Sequence, residues 1–140
     1  AATGATVLLG CLRNATAVAR AVLAEQHRWA ARTSIAVIAC GGVDGDPDLP
    51  LRFAVEDLLG AGAVIDALST VGLDHTSPEA AAAGEAFRGL RAAMRHLLTA
   101  SGSGRALLNR DEVLSAAAVD AAASVPVLHA GSFVRYGSDS

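Results

Sequence analysis

Glu56 and Asp57 are the side chains in this sequence best placed to do chemistry. They are adjacent carboxylates where a loop rich in Gly, Asp and Pro, residues 41–50, runs into an apolar stretch. Val55, Leu58, Leu59, Gly62, Ile65 and Leu68 recur at helical spacing, so the pattern predicts a helix over 54–69 with one buried face. Both acids then fall in its first turn, facing the loop and the positive end of the backbone dipole. A helix start with two acids, fed by a Gly-rich loop after a buried strand, suits a hard cation together with an anionic substrate. The plain alternative is that the acids only cap the helix.

Other candidates carry weaker chemistry. Cys40, before Gly41-Gly42, is a nucleophile near a glycine turn or else a packed thiol, and no histidine nearby offers it a base. Ser101-Gly102-Ser103-Gly104-Arg105 is a phosphate cradle or a simple turn. Arg88, Arg91 and Arg95 share a face that reads as solvated, and His96 reads as a surface or packed histidine. There is no Walker loop, no dinucleotide glycine motif, no serine elbow and no zinc spacing among the four histidines.

The elements that must position these groups follow the chain. Residues 5–10 read as a short buried strand, and Asn14 as the N-cap of a helix over 15–30. Residues 34–39 read as a second buried strand. Strand, helix, strand at this spacing predicts a βαβ unit with parallel strands, and in such sheets ligands bind beyond the carboxyl ends. Those ends are residues 11–14 and 40–42, and the Glu56-Asp57 helix follows the second directly. Ser77-Pro78-Glu79 opens a helix predicted to run to about residue 100. Asn109 and Glu112 form a capping box for a helix ending near residue 122. Residues 125–128 read as a terminal strand with proline at an edge or at its start, and 131–140 as a loose tail.

Composition bounds the answer. At 140 residues the chain fits one domain, residues 1–140, and its 52% hydrophobic content excludes disorder. Much of that content is alanine and only 4% of residues are aromatic, which favours packed helices over a β-sandwich. The positive charge is all arginine, a pattern that points to a GC-rich bacterial genome, and it forms no basic stripe for nucleic acid. Two cysteines at the ends of apolar runs do not make a disulfide framework, so the thiols read as reduced and the compartment as cytoplasmic. No apolar run is long enough to span a membrane. An apolar run that begins almost at Ala1 raises the expectation that an N-terminal segment is missing.

The order of motifs resembles the later part of the 2-phosphosulfolactate phosphatase family. Val7-Leu8-Leu9-Gly10-Cys11-Leu12-Arg13-Asn14-Ala15-Thr16-Ala17-Val18-Ala19 is similar to that family's strand and helix start. Ile38-Ala39-Cys40-Gly41-Gly42 is similar to its second strand and glycine turn. The stretch from Arg52-Phe53-Ala54-Val55-Glu56-Asp57 to Ile65 resembles its glutamate-aspartate helix, the most specific of the set. Residues 101–107 and Val125-Pro126-Val127-Leu128 resemble its closing segments. The family is longer at the front and tends to have aspartate where Glu112 stands.

The resemblance implies an α/β fold, a three-layer-like domain with a mixed, partly parallel sheet and flanking helices. It implies a Mg²⁺-dependent phosphatase that converts 2-phospho-3-sulfolactate to 3-sulfolactate and phosphate, or acts on another small phosphorylated acid. Asp57 and Glu56 would do the metal or general-base work. Asn14 and the Gly41-Gly42 turn would donate to phosphate or sulfonate, and Arg52 or Arg13 would pair with the second anionic group. The rival reading is a non-catalytic ligand-binding or homo-oligomer-forming module derived from that family. A small nucleotide-binding domain is a third, without a phosphate-loop motif to support it.

Overall fold

The computed structural model describes residues 4–29, 32–42 and 50–137. Helices dominate the described residues. A 3₁₀ turn, Leu12–Asn14, leads into α1 (Ala15–Trp29). α2 (Val55–Thr70) carries the acid pair in its first turn. α3 (Pro78–Leu90) starts as its sequence dictates: Ser77 Oγ accepts from the Ala80 N–H at 3.2 Å, and proline occupies the first turn, where its missing N–H has no intrahelical acceptor. A 3₁₀ turn, Arg91–Ala93, separates α3 from α4 (Met94–Ala100), so the long helix expected over 77–100 is broken in two. The short α5 (Gly102–Ala106) and α6 (Arg110–Ala116) follow, each capped by its preceding side chain, Ser101 or Asn109.

α2 is the centre of the packing, with α3 and α1 on its flanks. Leu59 and Ala63 of α2, Val18 and Ala19 of α1, and Phe87, Met94, Leu98 and Val113 are buried in one core. The crossing of α2 and α3 is very close at Gly62. A Cβ there would lie 2.2 Å from the Ala83 carbonyl oxygen, so only glycine fits.

β1 (Pro126–His129) and β2 (Ser132–Arg135) form one antiparallel two-stranded sheet, turned through Ala130 and Gly131 at positive φ. The expected loose tail is therefore partly a strand; residues 138–140 lie outside the described residues. The expected mixed, partly parallel sheet is not formed among the described residues. Segment 5–10 is extended but reaches only an isolated antiparallel bridge, Leu8 to Val127. Residues 34–39, expected as a buried strand, form neither helix nor strand, and none of their backbone groups has a backbone partner among the described residues. Both segments instead line a cleft, through Leu8 and Gly10 on one and Ile35 to Ala39 on the other. The last helix also ends early, at Ala116, and Asp120 at φ 53° turns the chain beyond it. Its carboxylate accepts from the Thr16 N–H and hydroxyl, both at 2.8 Å.

Asn14 immediately precedes α1, as expected, but its side chain does not cap that helix. It is buried, its Oδ1 accepts from the Cys11 N–H at 2.8 Å, and its Nδ2 donates to the carbonyls of Leu9 and Ser124. It staples the first segment to the chain entering β1.

A second staple is Glu25, buried on α1, which accepts from Thr6 Oγ1 at 2.8 Å, Tyr136 OH at 2.8 Å and Arg28 at 3.0 Å. Burial pushes this carboxyl up, but the Thr6 and Tyr136 hydroxyls and then Arg28 outweigh it and hold it below its usual value. A depressed carboxyl stabilises the fold above its unfolded pKa, about 4.3, and that stabilisation is lost as pH falls through the folded value. Urea unfolding across pH should therefore show the midpoint dropping on the acid side of pH 4. Glu25→Ala should lose about 1–3 kcal/mol at pH 7, since two hydroxyls lose their acceptor, and should flatten the acid-side drop.

Candidate active site

The acid pair faces a cleft of about 310 Å³. Glu56, Asp57, Cys11 and Cys40 are its polar lining; aliphatic side chains of α1, α2 and segments 5–10 and 34–39 make up most of the rest. Both carboxylates are half-buried. Among the described residues neither accepts a hydrogen bond, and Glu56 Oε2 is a fully buried oxygen with no partner. Neither therefore caps the helix through a hydrogen bond, and what remains of the plain reading is their charge in the first turn, at the positive end of the helix dipole. Ala54, the residue before the helix, also offers no side-chain cap.

An orphaned carboxylate oxygen beside a second carboxylate is a donor set for a hard cation. Mg²⁺ is held by one or two carboxylates, keeping waters and substrate phosphate as its other ligands. Among the described residues no group of three or more His, Cys, Asp or Glu clusters, and Glu56 and Asp57 are the carboxylates that line the cleft.

The other predicted residues divide. Arg52 and Gly42 meet, forming an antiparallel bridge with both N–H···O bonds at 2.8 Å, which closes the base of the loop between them. The Arg52 guanidinium lies against Gly42, where a Cβ would sit 2.7 Å from Nη2, and beside Gly102. It donates to Ser103 Oγ and to the Phe53 carbonyl, both at 3.1 Å. Gly41 at φ 75° makes the turn that brings this about. The Gly42 N–H is taken by Arg52, so a donor from this turn would have to be Gly41. Arg13 is directed away: Nη1 donates to Ser115 Oγ at 2.7 Å and to the Ser115 carbonyl. Asn14 has no N–H left for a phosphate. The remaining loop residues, 43–49, lie outside the described residues.

Sequence reasoning missed Ser103 as the Arg52 partner, whereas the crevice expected beside residues 11–14 and 40–42 does take in Cys11 and Cys40. The Gly/Ser joint was visible, but nothing local says which arginine it meets 51 residues away. Cys40 is exposed rather than packed. The Arg88 face is not merely solvated: Arg88 pairs with Asp66 at 2.7 Å and with Glu85. Arg91 lies over the Phe87 ring, 5.7 Å from its centre.

With this arrangement in view, comparison with known families is decisive. A sequence model of 2-phosphosulpholactate phosphatase matches residues 1–131. The chain belongs to that family. It is a family of phosphoric monoester hydrolases, and the match spans every residue of the cleft and of the Arg52 clasp. No curated protein and no solved structure matches the chain. Among the described residues no helix is long and apolar enough to cross a membrane.

Proposed function

We propose that this chain hydrolyses the phosphate monoester of a small acid, with 2-phospho-3-sulfolactate as the leading substrate, and that Glu56 and Asp57 hold Mg²⁺ for the reaction. The observation that supports this best is the unpartnered, buried Glu56 Oε2 beside Asp57 in a cleft of a phosphatase-family chain. Bound there, Mg²⁺ would offset charge on the phosphoryl oxygens and orient the attacking water.

The chain's own residues supply the rest. Asp57 accepts the proton of the attacking water, as a half-buried carboxylate with no other hydrogen bond to release first. Arg52 is pre-oriented by Ser103, Gly42 and the Phe53 carbonyl, which lowers the ordering needed to pair it with a carboxylate or sulfonate. The Gly41 N–H adds a donor to the same anion. Apolar walls exclude bulk water and strengthen each of these interactions. Arg13 and Asn14 act by holding the first segment in place.

Isothermal titration with Mg²⁺ tests the cation part without turnover. Glu56→Gln should weaken binding by roughly tenfold or more, as expected when one of two charged ligands becomes neutral. Equal affinity in the variant and the parent chain would remove Glu56 from the metal site.

A further inference from the structure

The hairpin and the segment beside it have a second face, away from the substrate cleft and open to solvent. Leu8 sits opposite Val127 in an antiparallel bridge, flanked by bonds from the Leu9 N–H to the Pro126 carbonyl and from the Leu128 N–H to the Val7 carbonyl, at 2.9 Å each. β1 continues the register into β2, with Val127 opposite Val134 and Leu128 opposite Phe133. Opposed residues share a face, and faces alternate along a strand. Thr6, Leu8, Val125, Val127 and Tyr136 therefore share one face. That face lies on α1: the Thr6 and Tyr136 hydroxyls both reach Glu25, and Val125 is buried. The other face carries two cross-strand rows, Val7-Leu128-Phe133 and Leu9-Pro126-Arg135.

That outer face is apolar where a solvated one would be polar. An antiparallel sheet with one wet face alternates apolar and polar residues. Here Val7-Leu8-Leu9, Val127-Leu128 and Phe133-Val134 are apolar on both sides, the pattern of a sheet covered on both. Yet Val7, Leu9, Leu128 and Phe133 are 42% to 47% exposed. The whole chain shows the same surplus. A folded monomer of 14.0 kDa exposes about 6,700 Å², whereas this chain exposes 9206 Å². The difference, about 2,500 Å², is roughly three times the 800 Å² or so that each partner gives up in a standard interface.

We propose that the face carrying Val7, Leu9, Leu128 and Phe133 is the centre of a homodimer interface, on which a second copy of the chain packs face to face about a two-fold axis. An interface of this symmetry needs a patch that complements itself. An uncharged apolar patch does so, since no like charges meet across it. A two-fold axis through the apolar four keeps the two Arg135 side chains on opposite sides of it. A charged partner, by contrast, would find Arg135 as the one charge on these rows to recognise. Apolar side chains from the two sheets interdigitate in a layer about 10 Å thick. The substrate cleft opens on the α1 and α2 side of the same sheet, so each copy keeps its own acid pair accessible.

Sedimentation equilibrium of the 140-residue chain from about 1 μM to about 1 mM should show a monomer–dimer equilibrium. Phe133→Glu, which puts a charge into the apolar face of each copy, should weaken the dimer roughly tenfold or more while keeping its helical circular dichroism. Leu108→Glu, a fully exposed leucine between α5 and α6, should leave the dimer unchanged. Isotope-filtered NMR on a mixture of labelled and unlabelled chains locates the contact without any substitution, and should show contacts between copies at the methyl groups of Val7, Leu9 and Leu128. A monomer throughout the range would overturn the proposal and leave this face to a different polypeptide. A dimer whose contacts between copies lie elsewhere would overturn it as well.

Discussion

Asp57→Asn is expected to slow phosphate release by roughly 100- to 10,000-fold, the usual contribution of a positioned general base, with the fold intact. The substitution keeps the side chain's shape and removes its charge and basicity. Asp57 makes no side-chain hydrogen bond among the described residues, so nothing structural is broken. The stability change should be limited to the loss of one charge at a helix N-terminus, about 0.3–1 kcal/mol. kcat/KM for 2-phospho-3-sulfolactate, read beside the thermal midpoint, separates the two effects. A variant with near-parent activity would remove Asp57 from the chemistry, whatever it does to the midpoint.

The largest expected effect on stability comes from two glycines of one helix. At Gly62 the first atom of any side chain would sit 2.2 Å from the Ala83 carbonyl oxygen and 2.9 Å from its carbon. Backbone cannot step aside as a flexible side chain can, so Gly62→Val must push α3 off α2, the largest helix contact in the fold. A loss of about 3 kcal/mol or more follows from overpacking at such a site, lowering the midpoint by about 10 °C in a domain of this size. Gly60 lies two residues earlier, and its Cβ would meet nothing. Gly60→Ala should therefore stabilise by about 0.5–1 kcal/mol, because alanine restricts the unfolded chain and suits a helix interior. Opposite signs at positions 60 and 62 would show that the α2–α3 crossing governs stability. Equal small effects would contradict the close approach at Gly62.

What the sequence revealed and concealed follows from the range of each interaction. α2 and the start of α3 were legible because apolar periodicity, Ser77 and Pro78 act within a few residues of themselves. Residues 5–10 and 34–39 read as buried strands from their apolar runs, yet neither forms a strand among the described residues, since strand formation depends on what lies across the edge. β2 was missed because Ala130-Gly131 is not one of the strong hairpin dipeptides, although it adopts the positive φ angles such turns need. At the site, Glu56 and Asp57 were visible as neighbours in the chain. The clasp of Gly42, Arg52 and Ser103 was not, because it joins three segments that only folding brings together. Asn14 illustrates the opposite error. Its residue type suits a cap or a phosphate donor, yet burial turned all of its capacity inward.

Phosphate release from 2-phospho-3-sulfolactate, measured with Mg²⁺ and again after chelation, tests the central claim most directly. The acid-pair account predicts release that requires Mg²⁺, falls to background with chelator and returns when the metal is restored. Release that chelator leaves unchanged, or no release with the metal bound, would contradict the assignment of Glu56 and Asp57.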